Sequence, residues 1–117
     1  MIEEKHVILA VRADDERRII SQLLADFPVR VFHAQAGREV VWNVEDHGCD
    51  CLISDAHLSD MHVWSVLRAV NEVSPDLHFS VIILSDEDLI LPTQAITTLV
   101  RPLAVVRLKS ALRDALL

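Results

Sequence analysis

Polar residues stand directly after several apolar runs of the chain, where a fold could gather them into one site. Asp55 follows the third run, Ser85 the fourth and Arg101 the fifth, while Asp14 and Asp15 come shortly after the first. Together these side chains would offer carboxylate oxygens, one hydroxyl and a fixed positive charge. The alternative is that loops are simply polar, and that each residue only marks the end of an element.

Two kinds of apolar pattern alternate along the chain and predict the elements that would position these residues. Short runs rich in Val, Ile and Leu predict strands at residues 6–11, 29–33, 51–54, 79–84 and 96–100. Apolar residues at helical spacing predict helices around residues 19–27, 40–44, 63–70 and 105–116. Asp14, and Ser59 or Asp60, stand where helix N-caps belong. Trp42 and Trp64 fall in helical segments and are expected to pack there.

The alternation of strands and helices predicts an α/β fold whose parallel sheet is covered by helices on both faces. Five strands in 117 residues suit the flavodoxin-like, doubly wound order 2-1-3-4-5. In that order the functional crevice opens at the C-terminal ends of strands 1 and 3. Asp55 would then lie in the crevice, with Asp14 and Asp15 beside it and Ser85 and Arg101 on the neighbouring strands.

The bulk composition fits one domain over residues 1–117 and argues against several classes of function. The formal charge is −7 and the Lys and Arg residues are scattered, so direct nucleic-acid binding is not expected. No apolar run approaches the length that spans a bilayer and no signal-peptide pattern is present, so we expect a cytoplasmic protein without membrane contact. Cys49 and Cys51 are expected to be reduced thiols, because strand spacing would place both on one face, a poor geometry for a disulfide.

Four segments of the chain together resemble the receiver domain of two-component response regulators, and the likeness runs over nearly the whole length. The segments are HVILAVRADDERRIISQLL for the first strand and helix, CDCLISDAHLSDMHVWSVLRAV for the third strand and helix, SVIILSDED for the fourth strand and LVRPL for the end of the fifth. In this family an aspartate ends the third strand, a hydroxyl residue ends the fourth and a Lys-Pro pair ends the fifth.

The resemblance implies a signalling switch rather than an enzyme, one that at most catalyses its own phosphorylation and dephosphorylation. Asp55 would accept a phosphoryl group from a histidine kinase or phosphotransfer protein. Ser85 would be the switch hydroxyl that binds a phosphoryl oxygen. Arg101 stands in place of the usual lysine, so a planar guanidinium with several N–H donors replaces a compact ammonium group there. The family commonly has a cis bond at this point, so a cis Arg101-Pro102 bond is also expected.

The resemblance implies Mg²⁺ as the cofactor, with Asp14, Asp55 and the backbone carbonyl of His57 as candidate ligands. An ungapped alignment, however, puts Arg12 and Ala13 at the two positions that are usually acidic, which weakens all three assignments. Asp14 would reach a metal only if its loop were reshaped; otherwise it is an N-cap or first-turn acid of the first helix.

The segment between the fourth and fifth strands is shorter than the resemblance implies, and Pro92 interrupts it. We therefore expect the family's fourth helix to be one turn long or absent. Leu89, Ile90 and Leu91 would then either fill the core in its place or form a partner surface.

Three functions follow from these observations. The leading hypothesis is a phosphorelay receiver domain phosphorylated at Asp55, with an output domain or a homodimer through the strand 5/helix 5 face as further partners. The rival is a pseudo-receiver, a phosphorylation-independent protein-interaction module, which Arg12, Ala13 and Asp86 favour because they alter the acidic pocket. A flavodoxin-like small-molecule binder is least favoured, since the sequence has no glycine-rich phosphate loop.

Overall fold

All five predicted strands form, and they pair in parallel in the order β2-β1-β3-β4-β5. The computed structural model describes residues 4–89 and 96–117. The strands are β1 (Lys5–Ala10), β2 (Val29–His33), β3 (Cys51–Asp55), β4 (Ser80–Ser85) and β5 (Ile96–Val100). The helices are α1 (Asp14–Leu24), α2 (Gly37–His47), α3 (Val63–Val73) and α4 (Val105–Leu116). The predicted doubly wound α/β fold is confirmed. None of these helices, within the residues described, is long and apolar enough to cross a membrane.

The register of the sheet brings the polar ends of its strands to one edge. Ser54 pairs with Ala10, Asp55 with Leu84, and Ser85 with Val100. Both β3 and β4 run one residue further than predicted. Asp55 and Ser85 are therefore the last residues of their strands rather than the first residues of the loops.

Apolar clusters cover the two faces of the sheet, which is why its central strands are apolar throughout. Successive strand residues point to opposite faces, so each strand contributes to both clusters. The first cluster joins the sheet to α2 and α3 and includes Ile8, Leu52, Ile83, Val40 and Val66. The second joins it to α1 and α4 and includes Leu9, Ile53, Leu84, Ile20 and Leu112. Burying one such side chain stabilises the fold by about 1.5–3 kcal/mol.

Cys49 and Cys51 are buried free thiols, as expected, but they do not share a face. Cys49 packs in the cluster under α2 and α3, and Cys51 in the cluster under α1 and α4. The predicted placement is wrong because β3 begins only at Cys51, so the alternation of a strand does not reach back to Cys49. Burial raises the pKa of each thiol to about 12, so both are protonated at neutral pH.

Two helices begin at different residues from those predicted. The N-cap of α1 is Ala13, and Asp14 is the first helical residue rather than the cap. The N-cap of α3 is His62 rather than Ser59 or Asp60, and its Nδ1 accepts a hydrogen bond from the Trp64 backbone N–H at 3.1 Å. An imidazole nitrogen thus takes the role that we expected of a carboxylate or a hydroxyl.

Asp60 caps a helix, but that helix is α2 and not α3. Its two carboxylate oxygens accept hydrogen bonds from the backbone N–H groups of Gly37 at 2.7 Å and Arg38 at 3.1 Å. Because Gly37 has no side chain, Met61 and Val66 can approach the start of α2 closely. A Cβ added at Gly37 would lie 2.5 Å from Met61 Cγ and 2.7 Å from Val66 Cγ2. The loop after β3 is thereby fastened to the start of α2.

The segment between β4 and β5 is described only in part. Residues 86–89 contain no helix, and Leu89 packs against the cluster under α2 and α3, as a core-filling residue would. Ile90, Leu91 and the rest of the expected short or missing fourth helix lie outside the described residues. The helix expected as the fifth is α4 in the numbering used here.

The two tryptophans differ in their surroundings. Trp64 packs partly buried against the cluster under α2 and α3, as expected. Trp42 lies on the outer face of α2 with 61% of its surface exposed. The expectation that Trp42 packs between elements is wrong, because Val40 and Val44 already provide the buried face of that helix.

Candidate functional site

A cleft of about 750 Å³ opens at the edge of the sheet where the parallel strands end. The structure brings Asp55, Ser85 and Arg101 together there, and His57 stands with them. The topology accounts for this, because β3, β4 and β5 are adjacent and each delivers the residue at or just after its C-terminal end. The remaining lining residues are Arg12, Ala13, Asp15, Glu16, Gln35, Ala56, Leu84 and Asp86.

Asp55 is a buried carboxylate, with only 7% of its side chain exposed. Its Oδ1 accepts a hydrogen bond from Arg101 Nη2 at 2.5 Å, and its Oδ2 accepts one from the backbone N–H of Arg12 at 2.8 Å. Arg12 thus contacts Asp55 through its backbone, while its side chain is exposed. Burying an unpaired carboxylate would cost several kcal/mol, so these two donors are what allow Asp55 to lie here.

Arg101 is held in place by Glu16. Its Nε donates to Glu16 Oε2 at 3.0 Å and its Nη2 to Glu16 Oε1 at 3.0 Å, the two-point geometry that suits a guanidinium and a carboxylate. Its Nη1 also reaches Asp86 at 3.5 Å. The hydrogen bonds that Arg101 donates to Glu16 raise the pKa of Arg101 further above its already high ordinary value, so this side chain remains a cation. The Arg101-Pro102 peptide bond is cis, as expected.

Sequence reasoning missed Glu16, although the sequence carries a signal for it. Glu16 lies four residues before Ile20, and residues at this spacing share one face of a helix. Ile20 is fully buried in the cluster beneath α1, so Glu16 must point toward the sheet edge as well. Asp14 and Asp15 are nearer to the strand in sequence, but the face of the helix on which an acid lies decides whether it meets Arg101.

Ser85 and His57 are two further cleft residues whose side chains could take part in a reaction. Ser85 is 3% exposed, and its Oγ accepts a hydrogen bond from the Glu87 backbone N–H at 3.2 Å. His57 is exposed at the rim, and its ring lies across that of His62, with 4.7 Å between centroids. Burial, followed by repulsion from His57, lowers the pKa of His62.

Asp14, a candidate metal ligand, points away from the cleft. Its side chain is 81% exposed and forms an ion pair with Arg17, one helical turn further on. Asp14 is not among the residues that line the cleft, whereas Asp15 and Glu16 are. The placement expected for Asp14 as a ligand is therefore wrong, because the first turn of α1 directs it to solvent.

The residues around Asp55 do not fit the Mg²⁺ site that the resemblance implies. Mg²⁺ prefers octahedral oxygen ligands, but both oxygens of Asp55 accept hydrogen bonds from Arg101 and Arg12. In residues 4–89 and 96–117, no three His, Cys, Asp or Glu side chains are grouped so that they could hold a metal ion. Asp15, Glu16 and Asp86 line the same cleft, but they are not grouped with Asp55 as the ligands of a metal ion would be. Glu16 and Asp86 instead accept hydrogen bonds from Arg101.

Comparisons with protein-family models and with curated proteins returned no match, whereas solved structures match over almost the whole chain. The signal receiver domain of an HD domain-containing protein from Pseudomonas fluorescens Pf-5 has a TM-score of 0.80 at 21% identity, covering 97% of this chain and 95% of that one. A response regulator receiver domain protein from Bacillus halodurans C-125 has 0.81 at 23%, covering 97% of each. Chemotaxis response regulator CheY4 of Vibrio cholerae has 0.81 at 22%, covering 97% and 100%. The chain therefore has the fold of response regulator receiver domains, as its sequence led us to expect.

Proposed function

We propose that the chain is a receiver-type signalling module that works through protein contacts without phosphorylation of Asp55. One observation carries this proposal: the two carboxylate oxygens of Asp55 are hydrogen-bonded to Arg101 and to the backbone of Arg12. A carboxylate nucleophile must direct an oxygen lone pair at the phosphorus atom. One lone pair of each Asp55 oxygen is already engaged by a fixed donor, and the Arg101 cation draws electron density from Oδ1, so Asp55 is a weakened nucleophile.

The charge of the cleft supports the same conclusion. Four acids and two arginines line it, so the formal charge of the lining is −2. The acids are Asp15, Glu16, Asp55 and Asp86. A phosphoryl group would add further negative charge, and among the residues that the structure describes there is no group of side chains that could hold a divalent cation to offset it.

The surface beside the cleft supports a role in protein contacts. Val105 and Val106, at the start of α4, are 47% and 79% exposed. They lie on the strand 5/helix 5 face that we expected to meet an output domain or a second copy of the chain. The Pseudomonas neighbour is the receiver domain of an HD domain-containing protein, which makes an output domain a reasonable partner here.

The second candidate function is phosphoryl acceptance at Asp55, which is favoured because Ser85 and Arg101 line the same cleft. In this reaction an oxygen of Asp55 forms a bond to the phosphorus of a phosphohistidine. The phosphorus–nitrogen bond breaks, and the imidazole nitrogen keeps the electron pair and takes up a proton. Arg101 would then turn from the free carboxylate to the new phosphoryl oxygens.

Incubation with acetyl phosphate and Mg²⁺, followed by intact-mass measurement, separates the two candidates. We expect no phosphoryl adduct on the wild-type chain. The Arg12→Asp, Ala13→Asp variant restores the usual acidic pair and should gain a Mg²⁺-dependent adduct, which shows that the assay can detect one. A wild-type adduct that disappears in Asp55→Asn would overturn the proposal in favour of the second candidate.

A further inference from the structure

We propose that Glu16 is a positioning residue that closes an oxyanion site, because its carboxylate occupies the edge of Arg101 that a tetrahedral oxyanion such as phosphate would take. This inference rests on the proposed function, since it names the group that keeps the cleft closed to phosphate. Glu16 is not one of the site residues predicted from the sequence.

The geometry of the pair carries the inference. A guanidinium binds a phosphate or a carboxylate best through two parallel N–H groups. In Arg101 the Nε and Nη2 groups form such an edge, and both donate to Glu16 at 3.0 Å. Only 17% of the Glu16 side chain is exposed, so the carboxylate is packed in the cleft rather than loosely held at its rim. An oxyanion could take this edge only by displacing Glu16.

Other groups of the cleft would suit an oxyanion once Glu16 had left. The Ser85 hydroxyl lines the cleft, and because its oxygen already accepts from the Glu87 N–H, its proton can be donated. The Arg12 side chain is exposed at the same cleft and supplies a second positive charge. Removing the charge of Glu16 also brings the formal charge of the lining from −2 to −1.

A matched control distinguishes displacement from a general change in charge. Asp15 lines the same cleft and carries the same charge as Glu16, but Arg101 makes its hydrogen bonds to Glu16, Asp55 and Asp86. Asp15→Asn therefore changes the formal charge as Glu16→Gln does while leaving the pair intact. A purely structural ion pair would affect stability in Glu16→Gln without giving that variant a higher affinity for phosphate.

The test is a titration with inorganic phosphate, followed by NMR of the backbone amides and of the arginine Nε–H groups. A carboxylate holds a guanidinium more strongly than a neutral amide does, so Glu16→Gln should bind phosphate at least about tenfold more tightly than wild type. Asp15→Asn should change the affinity less than about threefold, as expected from screened charge alone. Glu16→Gln combined with Arg101→Gln should lose the gain. Equal gains in the two single variants, or no gain in Glu16→Gln, would overturn the inference.

Three further measurements make the outcome unambiguous. Thermal unfolding followed by circular dichroism shows whether each variant is folded, and Glu16→Ala carries the same expectation in a residue type that favours helices. A phosphoserine peptide titrated in parallel shows whether the site prefers a protein-borne phosphoryl group or the free ion. The gain of Glu16→Gln for inorganic phosphate is expected whichever of the two binds more tightly. A phosphoryl adduct on wild-type Asp55 would overturn the proposed function only, whereas unchanged phosphate affinity in Glu16→Gln would overturn this inference only.

Discussion

Arg101 and Glu16 are 85 positions apart in the chain, yet their side chains form a two-point ion pair with N–O distances of 3.0 Å. Arg101 follows β5 directly, and Glu16 lies in the first turn of α1. The pair therefore joins the last strand of the sheet to the first helix across the cleft. Because the same guanidinium contacts Asp55, the surroundings of the buried carboxylate depend on both elements.

Replacing Arg101 with methionine should destabilise the fold, because it leaves the buried carboxylate of Asp55 and the half-buried carboxylate of Glu16 without their cation. Loss of one partner of a fully buried pair costs about 3–5 kcal/mol, and we expect about 2 kcal/mol here because Arg101 is 26% exposed. Urea unfolding measures the difference. Arg107→Met, at an exposed position of α4, is the control and should change stability by less than about 0.5 kcal/mol. Equal losses in the two variants would contradict the role given to the pair.

Gly37→Ala should destabilise the contact between α2 and the loop after β3. The new Cβ would lie 2.5 Å from Met61 Cγ and 2.7 Å from Val66 Cγ2, and such overpacking costs about 1–3 kcal/mol. The double variant with Met61→Ala should recover part of the loss, because one of the two clashing side chains is removed. A fully stable Gly37→Ala protein would show that α2 and α3 are not held as closely as described.

Asp60→Ala should weaken the start of α2. The substitution removes the carboxylate that accepts from the Gly37 and Arg38 N–H groups, and the loss of a capping side chain of this kind costs about 1 kcal/mol. Hydrogen exchange of the amides at residues 37–40 should accelerate in the variant. Ser59→Ala, at the neighbouring exposed position, is the control, and an identical exchange profile in the two variants would argue against the cap.

Stability should fall as the pH is lowered from about 7 to about 5, in part because of His62. Its pKa in the folded state is lowered below the ordinary value of 6.5, chiefly by burial and then by His57. The unfolded chain therefore binds a proton first as the pH falls, and the stability present above about 6.5 is progressively lost below it. Urea unfolding at several pH values should show a smaller loss for His62→Asn, which keeps a cap acceptor, than for wild type. His78→Asn, at an exposed position, should follow the wild-type profile.

The sequence predicted the strands well because their apolar residues form short, separate runs, and the strand order followed from alternation with helices. Asp55, Ser85 and Arg101 could be placed together for the same reason, since parallel strands end at one edge. The assignment of Asp60 to the start of α3 failed because this carboxylate caps a distant segment. Nothing near Asp60 in the sequence shows that its carboxylate reaches Gly37, 23 residues earlier.

Glu16 shows the same limit at the site itself. The sequence places three acids in succession at the start of α1, and all three suit a first turn. Only the orientation of the helix on the sheet selects Glu16 to meet Arg101, while Asp14 turns to Arg17. The apolar side chain of Ile20 indicates which face of α1 is buried. It identifies Glu16 as the acid on that face only when the first helical residue, Asp14, is known.

The central claim is that Arg101, rather than a divalent cation, balances the charge of Asp55. A titration with paramagnetic Mn²⁺, followed by NMR line broadening of the backbone amides, tests it most directly. We expect no selective broadening of the Ala56 and Ser85 amides in the wild-type chain, but selective broadening in Arg12→Asp, Ala13→Asp, where the acidic pair is restored. Selective broadening of those amides in the wild-type chain, abolished by Asp55→Asn, would contradict the claim.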